Sequence, residues 1–202
     1  MSAGGVALLA GLLAGGCYKG SARSVTPADL AREDGWHRVG GVPDVRQVDR
    51  RDCGAAALAM VLSYWSVPVT RDEIADANPP SPDKGIRAAA LRDYARGRGL
   101  QAFVIKGELG DLEREVVERR RPVLVGTVKI HGQSAYPHYE VVVGIDRDKR
   151  RILTLDPAEG LRVNSREGFI AEWAAASQLT LIVLPQAPET PVGPGNPGSA
   201  GE

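Results

Sequence analysis

The chain has 202 residues, which suits one domain of ordinary size with tails. Its 25 Lys and Arg are matched by 25 Asp and Glu, so there is no net basic field to gather nucleic acid and no acidic surplus to solvate a long segment. The tightest basic cluster, Arg119-Arg120-Arg121, closes a predicted helix and reads as a solvated end matched to the helix dipole.

Residues 1–17 contain an apolar run of small residues, Val6 to Gly16, which is too short to span a bilayer and has the length of a signal-peptide core. The stretch Leu12-Leu13-Ala14-Gly15-Gly16-Cys17 resembles the lipobox of bacterial lipoproteins. That resemblance implies that Cys17 is lipidated, becomes the mature N-terminus and anchors the domain to a membrane of the cell envelope, on the outer-membrane or periplasmic side. The chain has two cysteines, and a lipidated Cys17 leaves Cys53 without a disulfide partner. Residues 18–41 are polar and read as a tether, with Pro27 to Ala31 able to form one helical turn. Residues 186–202, rich in Pro, Gly, Ala and Ser, carry too little apolar surface to offset the entropy of ordering and are expected to be disordered.

The foldable part is therefore 42–185. Cys53 to Trp65 is nearly all apolar, which at this length predicts a helix buried on most sides. Thr70 with Glu73 forms a capping box that opens a second helix, and Ile86 to Arg96 is a third, closed by Gly97 and Gly99. The periodicity then changes: Gln101 to Lys106 is a strand, Asp111 to Arg119 a helix and Pro122 to Ile130 a strand. Tyr139 to Asp146 and Arg151 to Asp156 flank a polar turn and predict an antiparallel hairpin. Ser165 caps a helix running to Trp173, and Leu179 to Leu184 is the last strand. Helices first and an antiparallel sheet after them indicate an α+β fold.

Cys53 opens the buried helix, where the partial positive charge and free N–H groups of a helix start favour thiolate. On its own such a cysteine is as readily a small core hydrophobe. His138 sharpens the reading. It directly precedes the strand beginning at Tyr139, Asp156 ends the partner strand, and the two are centred on Arg147 in the predicted turn. Opposed residues of a hairpin share a constant index sum, so His138 and Asp156 are expected to face each other on one side of the sheet, with Cβ atoms about 4.5 to 5.5 Å apart. A carboxylate there would orient the imidazole as general base and stabilise the imidazolium it becomes. His131 is a rival base, but it precedes the loop Gly132-Gln133-Ser134 and has no matched acid. His37 lies in the tether without an evident partner. Gln47, six residues before Cys53, can place a side-chain amide beside the Cys53 N–H as a second donor to a developing oxyanion.

The string Gln47-Val-Asp-Arg-Arg-Asp-Cys53-Gly54, followed by Ala57-Leu58-Ala59-Met60, resembles the bacteriocin-processing double-glycine leader peptidases, a papain-like family. Lys84-Gly85-Ile86 with Leu91 and Gly99-Leu100 is similar to that family's middle helix segment, Pro137-His138-Tyr139 with Val141-Val142 to its histidine strand, and Asp156-Pro157-Ala158 with Gly160, Phe169 and Trp173 to its closing elements. The resemblance implies a papain-like fold and peptide-bond hydrolysis, in that family often after Gly-Gly at the end of a leader peptide. It places Cys53, His138, Asp156 and Gln47 on the positions that carry the chemistry, with no metal or cofactor. The expected partner is a peptide or protein substrate, in a stand-alone, lipoprotein-like form without a transporter domain. Two other classes use the same scaffold: a module that binds a Gly-rich peptide without cutting it, and a transferase or amidase that passes the acyl group to an amine.

Overall fold

The computed structural model describes residues 18–82 and 84–186. The apolar run, the lipobox-like Cys17 and nearly all of the Pro/Gly-rich tail lie outside the described residues. Among the described residues eight strands form one antiparallel sheet: β1 (Arg23–Ser24), β2 (Trp36–Arg38), β3 (Leu100–Lys106), β4 (Val123–His131), β5 (Ser134–Asp146), β6 (Arg151–Asp156), β7 (Gly160–Ser165) and β8 (Leu179–Pro185). Their order is β1-β7-β6-β5-β4-β8-β3, with β2 paired to the far end of β5, beyond the reach of β4.

Helices cover both faces. On one side α2 (Cys53–Tyr64) lies in a core shared with α3 (Arg71–Ala77) and α4 (Ala88–Gly97). Every residue of α2 from Cys53 to Leu62 is buried, because the sheet covers one flank and the neighbouring helices the other. An all-apolar helix is stable only in such a position; cutting one of its large side chains, as in Leu58→Ala, would cost about 2–5 kcal/mol. The opposite face carries α5 (Leu109–Leu112), which runs into a π-helical turn at Glu113–Glu118, and α6 (Arg166–Ala175), whose Phe169 and Trp173 fill the second core.

The capping expectations are met. Thr70 accepts from the Glu73 N–H while Glu73 reaches back to the Thr70 N–H, and Ser165 accepts from the Gly168 N–H. The Asp111–Arg119 helix instead begins at Leu109, because Glu108 and Asp111 make a capping box two residues earlier, and its second half is a π turn that carries Glu115, Val116 and Val117 inward. The arginine cluster answers that buried Glu115: Arg119 pairs with it at 2.7 Å and Arg121 at 3.5 Å.

Three expectations change. Residues 18–41 are not a loose tether, since β1 pairs with β7 and β2 with β5, while the helical turn expected at Pro27–Ala31 does form as α1, capped by Thr26 and burying Leu30. The segment around Gly132 is not an open loop; β4 and β5 pair all the way to His131 and Ser134 around a Gly132-Gln133 turn. β7 was not predicted, because Gly160 to Ser165 alternates too weakly to read as a strand.

Candidate functional site

The loop before α2 is fixed by the residue that precedes the cysteine. The Asp52 carboxylate makes no capping bond to its own helix. It accepts from the Asp49 N–H at 3.2 Å and, at 3.4 Å, from the Val48 N–H, and it pairs with Arg71 of α3 at 2.8 Å. Loop 47–52 is thereby gathered over the start of α2. Gly54 follows Cys53 because the Tyr139 ring lies there: a Cβ at Gly54 would meet the ring at 3.0 Å and Leu91 at 3.3 Å. The Tyr139 hydroxyl donates to the Ile86 carbonyl at 3.1 Å, tying β5 to the segment before α4.

His138 and Asp156 meet, though not in the expected register. Near the turn, Asp146 opposes Arg151 and Gly144 opposes Leu153; past an irregularity at Val143, Val142 opposes Thr154 and Val141 opposes Leu155. Asp156 therefore lies diagonally from His138 and on the same face, since the index sum differs from the expected one by two, and side chains alternate with a period of two. His138 Nε2 stands 2.8 Å from Asp156 Oδ1, with both side chains almost wholly buried. Cys53 at the start of α2 lies near enough to act on the ring as well.

The electrostatics follow from this geometry. Burial alone would depress the His138 imidazolium, but the Asp156 carboxylate and Cys53 outweigh it and push its pKa up to about 10. Burial would raise Asp156, but the hydrogen bond and charge of His138 and the Ala158 N–H, which donates to Oδ1 at 2.8 Å, hold it down to about 2. The dyad thus stores a proton on the ring and a charge on the carboxylate.

Gln47 is held to the Asp156 turn by its backbone N–H, which donates to the Pro157 carbonyl at 3.0 Å. Among the described residues its Oε1 is buried without a hydrogen-bond partner, and the residue lines the same cavity as His138 and Asp156. Of the remaining histidines, His131 packs between Tyr18 and Tyr136 at ring distances of 5.2 and 5.5 Å, and His37 lies in β2 opposite Ile145.

Sequence reasoning missed a buried ionic cluster behind the dyad. Lys129 pairs with Glu140 and, at 2.6 Å, with Glu172, whose other oxygen accepts from the Tyr18 hydroxyl. Burial would lower the Lys129 ammonium, but the two carboxylates hold it far above its ordinary range. His138, Glu140 and Asp156 each bring one ligand atom within 4.8 Å of the others, a spacing that suits a cation, but Nε2 already bonds Asp156 and Glu140 already pairs with Lys129. The signal for this cluster was present: Lys129 and Glu140 are charged residues at strand positions whose neighbours are apolar.

A model of the Peptidase C39 family matches residues 42–187. Among curated proteins, the mesentericin-Y105 transport/processing ATP-binding protein MesD of Leuconostoc mesenteroides is 27% identical over 133 residues, 66% of this chain and 18% of that protein. The transport/processing ATP-binding protein ComA of Streptococcus pneumoniae is 30% identical over 139 residues, 69% of this chain and 18% of that protein. The chain spans about a fifth of the length of these relatives. Among solved structures, a double glycine motif protease from an AMS/PCAT transporter, in complex with the leader peptide, matches with a TM-score of 0.59 and 27% identity over 74% of this chain and 94% of that one. A putative C39-like peptidase from Bacillus anthracis shares the fold, with a TM-score of 0.61 and 18% identity over 77% of this chain and 100% of that one.

Proposed function

Because the chain belongs to the Peptidase C39 family, we propose that it hydrolyses peptide bonds with Cys53 as nucleophile, His138 as general base and acid, Asp156 as the group that orients the histidine, and Gln47 with the Cys53 N–H as oxyanion donors. The observation that carries the reading is the buried His138 ring, held at Nε2 by Asp156 at 2.8 Å and raised in pKa by Cys53 nearby. The thiolate attacks the scissile carbonyl, and the oxyanion is met by the two N–H donors. His138 then gives its proton to the leaving amine and takes one from the water that hydrolyses the acyl-enzyme.

The relatives named for transport and processing, and the neighbour bound to a leader peptide, support a substrate cut after small residues such as Gly-Gly. The cavity on the Cys53 side, about 320 Å³, fits this: Gly85 on its wall has φ +62° and lies so close to the Arg51 carbonyl that a Cβ would meet it at 3.0 Å. The lipobox-like Cys17 supports an envelope-anchored form, and a mass spectrum of the mature protein carrying an unmodified Met1 would remove that part of the proposal.

The decisive experiment is cleavage of a peptide library rich in Gly-Gly by the purified chain and by Cys53→Ala, with alkylation of Cys53 followed in parallel. Cleavage lost in Cys53→Ala establishes the peptidase. No cleavage, with slow alkylation of Cys53, would overturn it in favour of a peptide-binding module.

A further inference from the structure

The segment before residue 42 lies outside the stretch matched by the family, yet it forms a wall of the cavity beside His138. Tyr18 makes an antiparallel bridge with His131, and the Lys19 N–H donates to the Ile130 carbonyl at 2.9 Å. Gly20 lets the chain press against the sheet, since a Cβ there would run into Glu172 and the Tyr18 hydroxyl. Arg162 donates to the Ala22 carbonyl at 2.7 Å, and β1 then pairs with β7. The strap is therefore fixed at several points along its length. Its Tyr18 ring stands at the end of a row, 5.2 Å from His131, which is 5.5 Å from Tyr136, and Arg50 caps that third ring at 5.3 Å.

The cleft has two halves, and the chemistry distinguishes them. The acyl part of a substrate stays on the Cys53 sulfur, whereas the amine part departs with the proton from His138. The cavity on the cysteine side is lined by Cys53, Gly85, Pro137 and Tyr139. The one on the histidine side, about 300 Å³, is lined by Gln47, His138 and Asp156 together with the aromatic row, and Arg50 and Tyr136 border both. A space at the small end of ligand-pocket sizes, about 300–1,000 Å³, takes one or two side chains rather than a folded segment.

Resting on the peptidase reading, we propose that this histidine-side cavity receives the residues that follow the scissile bond, and that Tyr18 of the N-terminal strap makes it prefer an aromatic side chain there. A row with one tilted pair, Tyr18–His131, and one stacked pair, His131–Tyr136, offers an aromatic guest the offset and edge-on contacts such groups favour, and the Arg50 guanidinium adds a face for stacking.

The test uses the full chain and three peptides that share one acyl half ending in Gly-Gly and carry Phe, Ala or Asp directly after it. The wild type should cleave the Phe peptide with the highest kcat/KM. In Tyr18→Ala the ratio of Phe to Ala peptide should fall about 3- to 10-fold, the range that loss of one aromatic contact produces, and Tyr18→Phe should keep it. An equal loss on both peptides would make Tyr18 a purely structural residue and overturn the proposal, as would a wild type that prefers Ala or Asp. Absence of Cys53-dependent cleavage of every peptide would overturn the peptidase reading and this one with it.

Discussion

Replacing Asp156 with Asn removes a charge and leaves the shape of the side chain. In the native site Oδ1 accepts from His138 and from the Ala158 N–H, each at 2.8 Å, and neither His138 nor Asp156 keeps more than a few per cent of its side chain exposed. Solvent screening is therefore slight. A hydrogen bond to a charged group contributes about 1.5–3 kcal/mol, and about 1.36 kcal/mol is tenfold in rate. The variant should thus lose about 10- to 150-fold in kcat/KM. The pH profile should change as well. With the carboxylate gone, Cys53 alone opposes the burial that depresses the imidazolium, so the alkaline limb, set near pH 10 by His138, moves to lower pH. Stability follows the same groups. The His138 pKa is raised from 6.5 to about 10, so its stabilisation is complete below pH 6.5 and is lost as pH rises toward 10. The Asp156 pKa is lowered from 3.8 to about 2, so its stabilisation is present above pH 3.8 and is lost as pH falls through 2. The gap in Tm between wild type and Asp156→Asn should accordingly be widest between those limits, from pH 3.8 to 6.5, and shrink on both sides. Steady-state kinetics and thermal melts across pH measure both effects. A variant within about threefold of wild type, with an unmoved alkaline limb, would refute the account of the dyad.

Gly54→Ala places a methyl 3.0 Å from a Tyr139 ring that is pinned by its hydroxyl, so overpacking of about 1–3 kcal/mol should appear as a lower Tm, accompanied by slower alkylation of the displaced Cys53. Lys129→Met leaves Glu140 and Glu172 buried and facing each other without their cation, and chemical denaturation should register a loss of about 3–5 kcal/mol. Adding Glu140→Gln and Glu172→Gln to that variant should recover part of the loss; no recovery would mean that Lys129 acts through packing of its stem instead. Leu58→Ala, inside the fully buried α2, should cost about 2–5 kcal/mol by the same assay.

The elements that sequence revealed are those with strong local causes. The continuous apolar run of α2, the reciprocal caps of α3 and the Ser165 cap of α6 depend on residues within a few positions of one another. The parts that stayed hidden are made by distant partners. Tyr18 to Ser24 is polar and holds its place only because Glu172, Ile130 and β7 lie where they do, and β7 is held by β6 rather than by its own alternation. Lys129 and Glu140 stand out as charges among apolar strand neighbours, but only strand pairing shows that they meet.

The meeting of His138 with Asp156 depends on a feature that neither residue reveals. Had β5 and β6 kept the pairing they have beside the turn, with Asp146 opposite Arg151, Asp156 would have come to lie opposite Val141, and His138, three residues from Val141, would have pointed to the other side of the sheet. The irregularity at Val143 adds one residue to β5 alone and so reverses that parity, as bulges do. It also lies where β5 changes partners: the Val143 carbonyl accepts from the Val39 N–H at 2.8 Å, just beyond the last pair with β4 and beside β2. A symmetric hairpin drawn about Arg147 reached the right face through an even displacement of two. The physical cause is the bulge, which sets the face on which Asp156 meets His138.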